Sequence, residues 1–84
     1  MMETQPSIHL HVNGNFEVWI PGNNSVTCHS RADAELVLDF VRRFYEGNTG
    51  RKLARETLAA LGRAGLQPAN SVWYRSAMHH VANE

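Results

Sequence analysis

Apolar and polar residues alternate with period two from Ile8 to Val12 and again from Phe16 to Ile20. Ile8, Leu10 and Val12 take one side and His9 and His11 the other; Phe16, Val18 and Ile20 oppose Glu17 and Trp19 in the same way. The pattern predicts two half-buried strands, and Asn13-Gly14 between them signals a hairpin. Keeping the apolar residues on one face sets the register. A loop of Asn13-Gly14-Asn15 pairs Val12 with Phe16, Leu10 with Val18 and Ile8 with Ile20, with Asn15 in the left-handed conformation. Pro21-Gly22-Asn23-Asn24 reads as a loop. Ser25 to His29 reads as a short third strand with Val26 and Cys28 inward. On this register His11 and His29 lie on the outer face to either side of Glu17, and His9 stacks beside Trp19 across the hairpin.

Near Ser30 the period changes to about 3.6 residues. Ser30 caps a helix, with Asp33 three residues later in a capping-box pattern. Ala34, Val37, Leu38, Val41, Phe44 and Tyr45 form the stripe that covers the sheet. Leu36 and Phe40 widen it sideways, as expected of a helix packed on its flank as well. Gly47 ends this helix, and Asn48 or Thr49 opens a second that runs to about Ala64, stopped by Gly65 and broken by Pro68. Leu53, Ala54, Thr57, Leu58, Ala60 and Leu61 fall on its inner side; Arg51, Lys52, Arg55 and Arg63 fall on its outer side. Asn70 or Ser71 starts a third helix, with Trp73, Tyr74, Ala77, Met78 and Val81 inward and Val72, Arg75, Ser76 and His79 outward. The fold class is therefore α+β in one domain over residues 1–84: a three-stranded antiparallel β-meander over about 7–29, then three helices over about 31–46, 50–64 and 71–82. Residues 1–6 read as a flexible tail and the last residues as a fraying end.

At 84 residues the chain buries little surface, and a small protein of this kind often completes its core at a homodimer interface. The net charge of zero is unevenly placed. Residues 1–40 carry Glu3, Glu17, Asp33, Glu35 and Asp39 against Arg31, a net −4. Residues 41–84 carry Arg42, Arg43, Arg51, Lys52, Arg55, Arg63 and Arg75 against Glu46, Glu56 and Glu84, a net +4. A basic C-terminal half suits nucleic acid or an acidic protein surface. A lone cysteine, Cys28, fits a reducing compartment. With no signal-peptide pattern and no apolar run of membrane length, the expected place is cytoplasmic, with no membrane contact.

The histidines invite a metal reading built on His11, Glu17 and His29. Strands lie about 4.8 Å apart, so the outer two stand roughly 10 Å apart, whereas metal ligands converge on bonds of about 2 Å. No metal or other cofactor is expected, and the same three residues could instead sense mild acid if Glu17 raises the titration of a neighbouring imidazole. His79 and His80, adjacent on a helix, point apart and read as one exposed and one half-buried histidine. Cys28 faces inward, where a thiol is inert. No nucleophile elbow, phosphate loop or paired-carboxylate pattern is present, so the expectation is a protein without catalytic residues.

Two binding readings remain. Trp19, outward beside Glu17, His11 and His29, is a candidate hot spot for a protein partner. The alternative is a helix-turn-helix in which Arg51, Lys52, Arg55 and Arg63 meet phosphates and Arg75, Ser76 and His79 meet bases. Its turn, Gly65 to Asn70, is longer than the usual three to four residues.

The run Gly14-Asn15-Phe16-Glu17-Val18-Trp19-Ile20-Pro21-Gly22, with Thr27 and the helix from Ser30, resembles HicB-like antitoxins over roughly residues 7 to 45. The chain departs from that family in lacking an acidic residue and a second proline around the Pro-Gly turn, and in its spacing after the third strand. The resemblance implies three strands before a helix in a small regulator that binds a protein. The sequence is read as a small non-enzymatic interaction protein, a regulator or inhibitor of a protein partner, of the kind phage and mobile elements encode by analogy.

Overall fold

The computed structural model describes residues 5–21 and 24–82. Strands β1 (Ser7–Leu10), β2 (Phe16–Ile20) and β3 (Asn24–Cys28) form one antiparallel sheet in the order β1-β2-β3. Helices α1 (Arg31–Glu46), α2 (Arg51–Arg63) and α3 (Val72–Ala82) follow. This is the α+β order that the two periodicities predict. The first four residues of the tail, Gly22 and Asn23 of the β2–β3 turn, and the terminal Asn83 and Glu84 lie outside the described residues.

The hairpin corrects the predicted register. Leu10 pairs with Phe16 and Ile8 with Val18, a slide of two residues from the expected pairing. The cause is the glycine. Gly14 takes the left-handed position at φ 86°, so the three-residue loop is Val12-Asn13-Gly14 rather than Asn13-Gly14-Asn15. Gly14 N–H donates to His11 C=O at 3.0 Å and His11 N–H donates to Asn15 C=O at 2.9 Å, a tight turn followed by a glycine bulge. Val12 is thereby lifted into the turn and is fully exposed, and Leu10 loses the cover expected of it and is 67% exposed. A slide of two preserves parity, so every side chain keeps its face. At the other turn β3 begins at Asn24, a residue earlier than expected, opposite Ile20.

Helix boundaries follow their caps. Ser30 Oγ accepts the Asp33 N–H at 3.2 Å at the start of α1. Gly47 closes it at φ 75°, with Gly47 N–H on Phe44 C=O and Asn48 N–H on Arg43 C=O. Gly65, at φ 71°, closes α2 by the same pattern onto Gly62 and Leu61. Gly47 has open space where a Cβ would stand. Gly47→Ala therefore meets only the left-handed backbone penalty and should cost about 1 kcal/mol in a urea melt.

α1 is the middle layer. It packs on all three strands and, through its other side, on α2 and α3. Val37, Val41 and Ala34 meet the sheet's inner residues Val18, Val26 and Cys28 in one buried cluster with Phe40, Ala54, Leu61, Trp73 and Ala77. Phe40, which the sequence places at the flank, is fully buried because α2 and α3 cover that flank. Thr57 donates from Oγ1 to Leu36 C=O at 3.3 Å across the same seam. Two expected inner residues are not inner. Tyr45, next to last in α1, and Met78 on α3 are each about half exposed.

Candidate docking face

The outer face of the sheet carries no helix among the described residues, because α1 takes the inner face and α2 and α3 stack behind α1. Strand alternation sends His9, Glu17, Trp19, Ser25 and Thr27 to that outer face. Trp19 is 51% exposed and stacks on His9, with ring centroids 3.7 Å apart and planes 28° from parallel. In the observed register His9 sits diagonally from Trp19, opposite Glu17, and the stack forms along that diagonal. Ser7 Oγ lies 3.0 Å from His9 Nε2, which fixes the far side of the imidazole.

Glu17 anchors the polar part of the face. His11 Nε2 is 2.6 Å from Glu17 Oε1. Hydrogen bonds from Trp19, then Ser25, then His11 hold the Glu17 carboxyl down from its ordinary 4.5 to about 2. The group is thus ionised at any physiological pH, and it orients both Trp19 and His11. His29 Nδ1 lies 3.3 Å from Asn15 Oδ1 and does not reach Glu17's hydrogen-bonding set. His11 and His29 therefore serve different partners, Glu17 and Asn15. Among the described residues no group of three or more His, Cys, Asp or Glu side chains is placed to hold a metal ion. Cys28 is fully buried, and burial pushes its thiol up from the ordinary range.

The basic stripe is less available than its sequence suggests. Arg63 is committed to Asp33 at the start of α1: its Nη2 and Nε donate to the two carboxylate oxygens at 2.7 and 3.1 Å. The Arg63 hydrogen bonds lead the causes that lower the Asp33 carboxyl. Arg42 and Arg43 share Asp39 at 3.7 and 3.0 Å. Arg51 and Lys52 are exposed in the first turn of α2, Arg55 one turn on, and Arg75 and His79 are exposed on α3 with Ser76 half-buried between them. The segment joining α2 to α3 spans residues 64–71, well beyond a helix-turn-helix turn. His80 is half-buried, with Nε2 2.9 Å from Thr49 Oγ1, and His79 is exposed. No helix among the described residues is long and apolar enough to cross a membrane.

No protein-family model, curated protein or solved structure matches this chain.

Proposed function

We propose that the chain is a non-enzymatic interaction protein that docks on a protein partner through the outer face of its sheet, with Trp19 as the anchor. The observation that carries this reading is the half-exposed Trp19, stacked on His9 beside the Glu17 carboxylate on a face that no helix covers among the described residues. An indole already fixed in one rotamer loses little entropy on binding, and Trp is the residue type most enriched at binding hot spots. Around it His11, Thr27 and His29 supply the polar rim expected of such an interface. A regulator or inhibitor uses a surface of this kind. The basic positions Arg51, Lys52, Arg55 and Arg75 support a nucleic-acid reading less well, since Arg63 is spent on Asp33 and the inter-helix segment is long.

The test is affinity capture from a lysate of the producing cell with wild type, Trp19→Ala and His9→Ala, followed by titration of the captured protein. Trp19→Ala should weaken binding by about 30-fold or more while far-UV circular dichroism stays unchanged, since the ring contributes nothing to the core. A partner held equally by Trp19→Ala refutes the docking face. Fluorescence anisotropy against a random duplex at two salt concentrations runs beside it. Affinity that falls steeply with salt would move the function to the basic helices instead.

A further inference from the structure

Among the described residues the β1 edge of the sheet is free, a second surface beside the outer face. His11 N–H bonds to Asn15 C=O, and bonded and non-bonded pairs alternate along an antiparallel ladder. Ser7 and His9 therefore aim their N–H and C=O groups at β2, and Ile8 and Leu10 aim theirs outward at the open edge. The side chains of these two residues are apolar and lie on the inner face, where Leu10 is 67% exposed. β1 has no charged residue or proline within it, the usual devices that keep an edge from pairing. The opposite edge differs: by the same alternation β3 turns Ser25 and Thr27 to the open side, with polar side chains on the outer face.

α1 continues the β1 surface. At about 100° per residue, Arg31, Glu35, Leu38, Arg42 and Tyr45 make one stripe. α2 engages the other side of the helix, at Asp33 and Leu36. Arg31 reaches over Phe16 at 5.9 Å, next to Leu10 on the paired strand. Leu38 is half-buried and Tyr45 is 54% exposed along this stripe.

We propose that a second copy of this chain pairs along β1, so that Ile8 and Leu10 of each copy exchange backbone hydrogen bonds with Leu10 and Ile8 of the other about a two-fold axis beside His9. The two sheets become one of six strands. The occupant is a second copy because the surface is complementary to itself in backbone and in charge. Two outward-facing residues two apart satisfy one another about a two-fold, with no donor or acceptor of Ile8 or Leu10 left over. The same axis sets the α1 helices antiparallel over the joined sheet. Centred at the middle of α1, between Leu38 and Asp39, that pair sets Glu35 of each copy against Arg42 of the other, and Arg31 against Glu46. α1 lies chiefly over β2, so the two helix axes stand three strand spacings apart, roughly 14 Å. That exceeds the 8–10 Å or so of direct helix packing. Leu10 and Leu38 of both copies floor the gap, and the long Glu35 and Arg42 side chains span it. The ion pairs that Arg31 makes with Glu35 (3.2 Å) and Arg42 makes with Asp39 (3.7 Å) within one copy are exposed and free to exchange. On the outer face His9 meets its own copy, so two His9–Trp19 stacks form one continuous platform.

Sedimentation equilibrium of wild type, Leu10→Lys, Glu35→Arg and Glu35→Arg/Arg42→Glu, from about 1 µM to 500 µM, tests it. Wild type should reach twice its 9.4 kDa mass. Leu10→Lys should remain monomeric, since a lysine on an edge strand opposes pairing. Glu35→Arg should weaken association by about tenfold or more, and the double reversal should restore it. Leu10, Glu35 and Arg42 are all exposed, so each variant should keep its circular dichroism; should Leu10→Lys fail to fold, the helix-surface reversals decide alone. A wild type that stays monomeric, a dimer that survives Leu10→Lys, or a double reversal no tighter than Glu35→Arg overturns the proposal. Trp19→Ala leaves the β1 backbone and the α1 charges unchanged, so loss of the docking face and loss of the dimer are read separately.

Discussion

Trp73→Ala should lower the stability of the domain by about 3–5 kcal/mol, the largest loss expected of any single substitution here. Trp73 is 1% exposed and is the largest fully buried side chain among the described residues. It fills the junction where α3 meets α2 and α1, and its ring meets Tyr74 edge-on at 6.2 Å. Truncation leaves a void that three helices on separate caps cannot collapse around. A domain of this length has a total stability of only about 4–13 kcal/mol at the usual 0.05–0.15 kcal/mol or so per residue, so a large part of the molecules should be unfolded in mild urea. Trp73→Phe should behave differently. The indole Nε1 is buried without a hydrogen-bond partner, and that stranded donor already costs the fold about 1–3 kcal/mol. Phe gives up packing area but also removes the donor, so its net cost should fall below about 1.5 kcal/mol. Urea melts followed by far-UV circular dichroism check both variants. Equal losses for Ala and Phe would mean that the donor is satisfied and that volume alone decides.

How much of this was legible in the sequence depends on the range of the interaction. The helix limits were legible because their signals are local: Ser30 caps α1 through a bond three residues away, and Gly47 and Gly65 close α1 and α2 in the left-handed region. The outer face was legible for a related reason. Strand parity alone puts His9, Glu17, Trp19 and Thr27 together, and parity survived the slide in register. The register itself was not legible, because Asn13-Gly14-Asn15 offers two residues able to take the left-handed position. The glycine took it at least steric cost. Choosing it exposed Leu10 and Val12, which an uninterrupted alternation had assigned to the core. The fate of Arg63 was hidden for a different reason. On a helical wheel it belongs with Arg51, Lys52 and Arg55, yet its partner Asp33 lies thirty positions away. No local rule links the two. Only the packing of α2 on α1 brings the end of one helix to the start of the other. The docking face thus rests on near neighbours, while the loss of a basic position rests on the tertiary fold.

That long-range pair sets the acid behaviour of the protein. Asp33→Asn should cost about 1–2 kcal/mol at neutral pH, roughly 5–10 °C in Tm. Asp33 is buried and sits in the first turn of α1, where a carboxylate also suits the helix N-terminus; Arg63 is half exposed, so water recovers part of its loss. The hydrogen bonds from Arg63 hold the Asp33 carboxyl below its ordinary 3.8 in the folded chain. A folded value depressed below the unfolded one gives stability that is fully present above the unfolded value and lost as pH falls through the folded value. The gap in Tm between wild type and Asp33→Asn should accordingly stay constant from neutral pH down to about 5 and then close toward pH 2. Glu17 obeys the same sign, lowered from 4.5 to about 2 by Trp19, Ser25 and His11. Its protonation should release Trp19 in the same acid window, visible as a change in indole fluorescence in a Trp73→Phe background, where Trp19 is the remaining tryptophan. Arg63→Ala separates the two effects. It should remove the Asp33 contribution and leave the Trp19 transition in place, because the two carboxylates serve opposite faces of the molecule. A Trp19 transition that moved with Arg63→Ala would instead show that the outer face and the α1–α2 clasp unfold as one acid-sensitive unit.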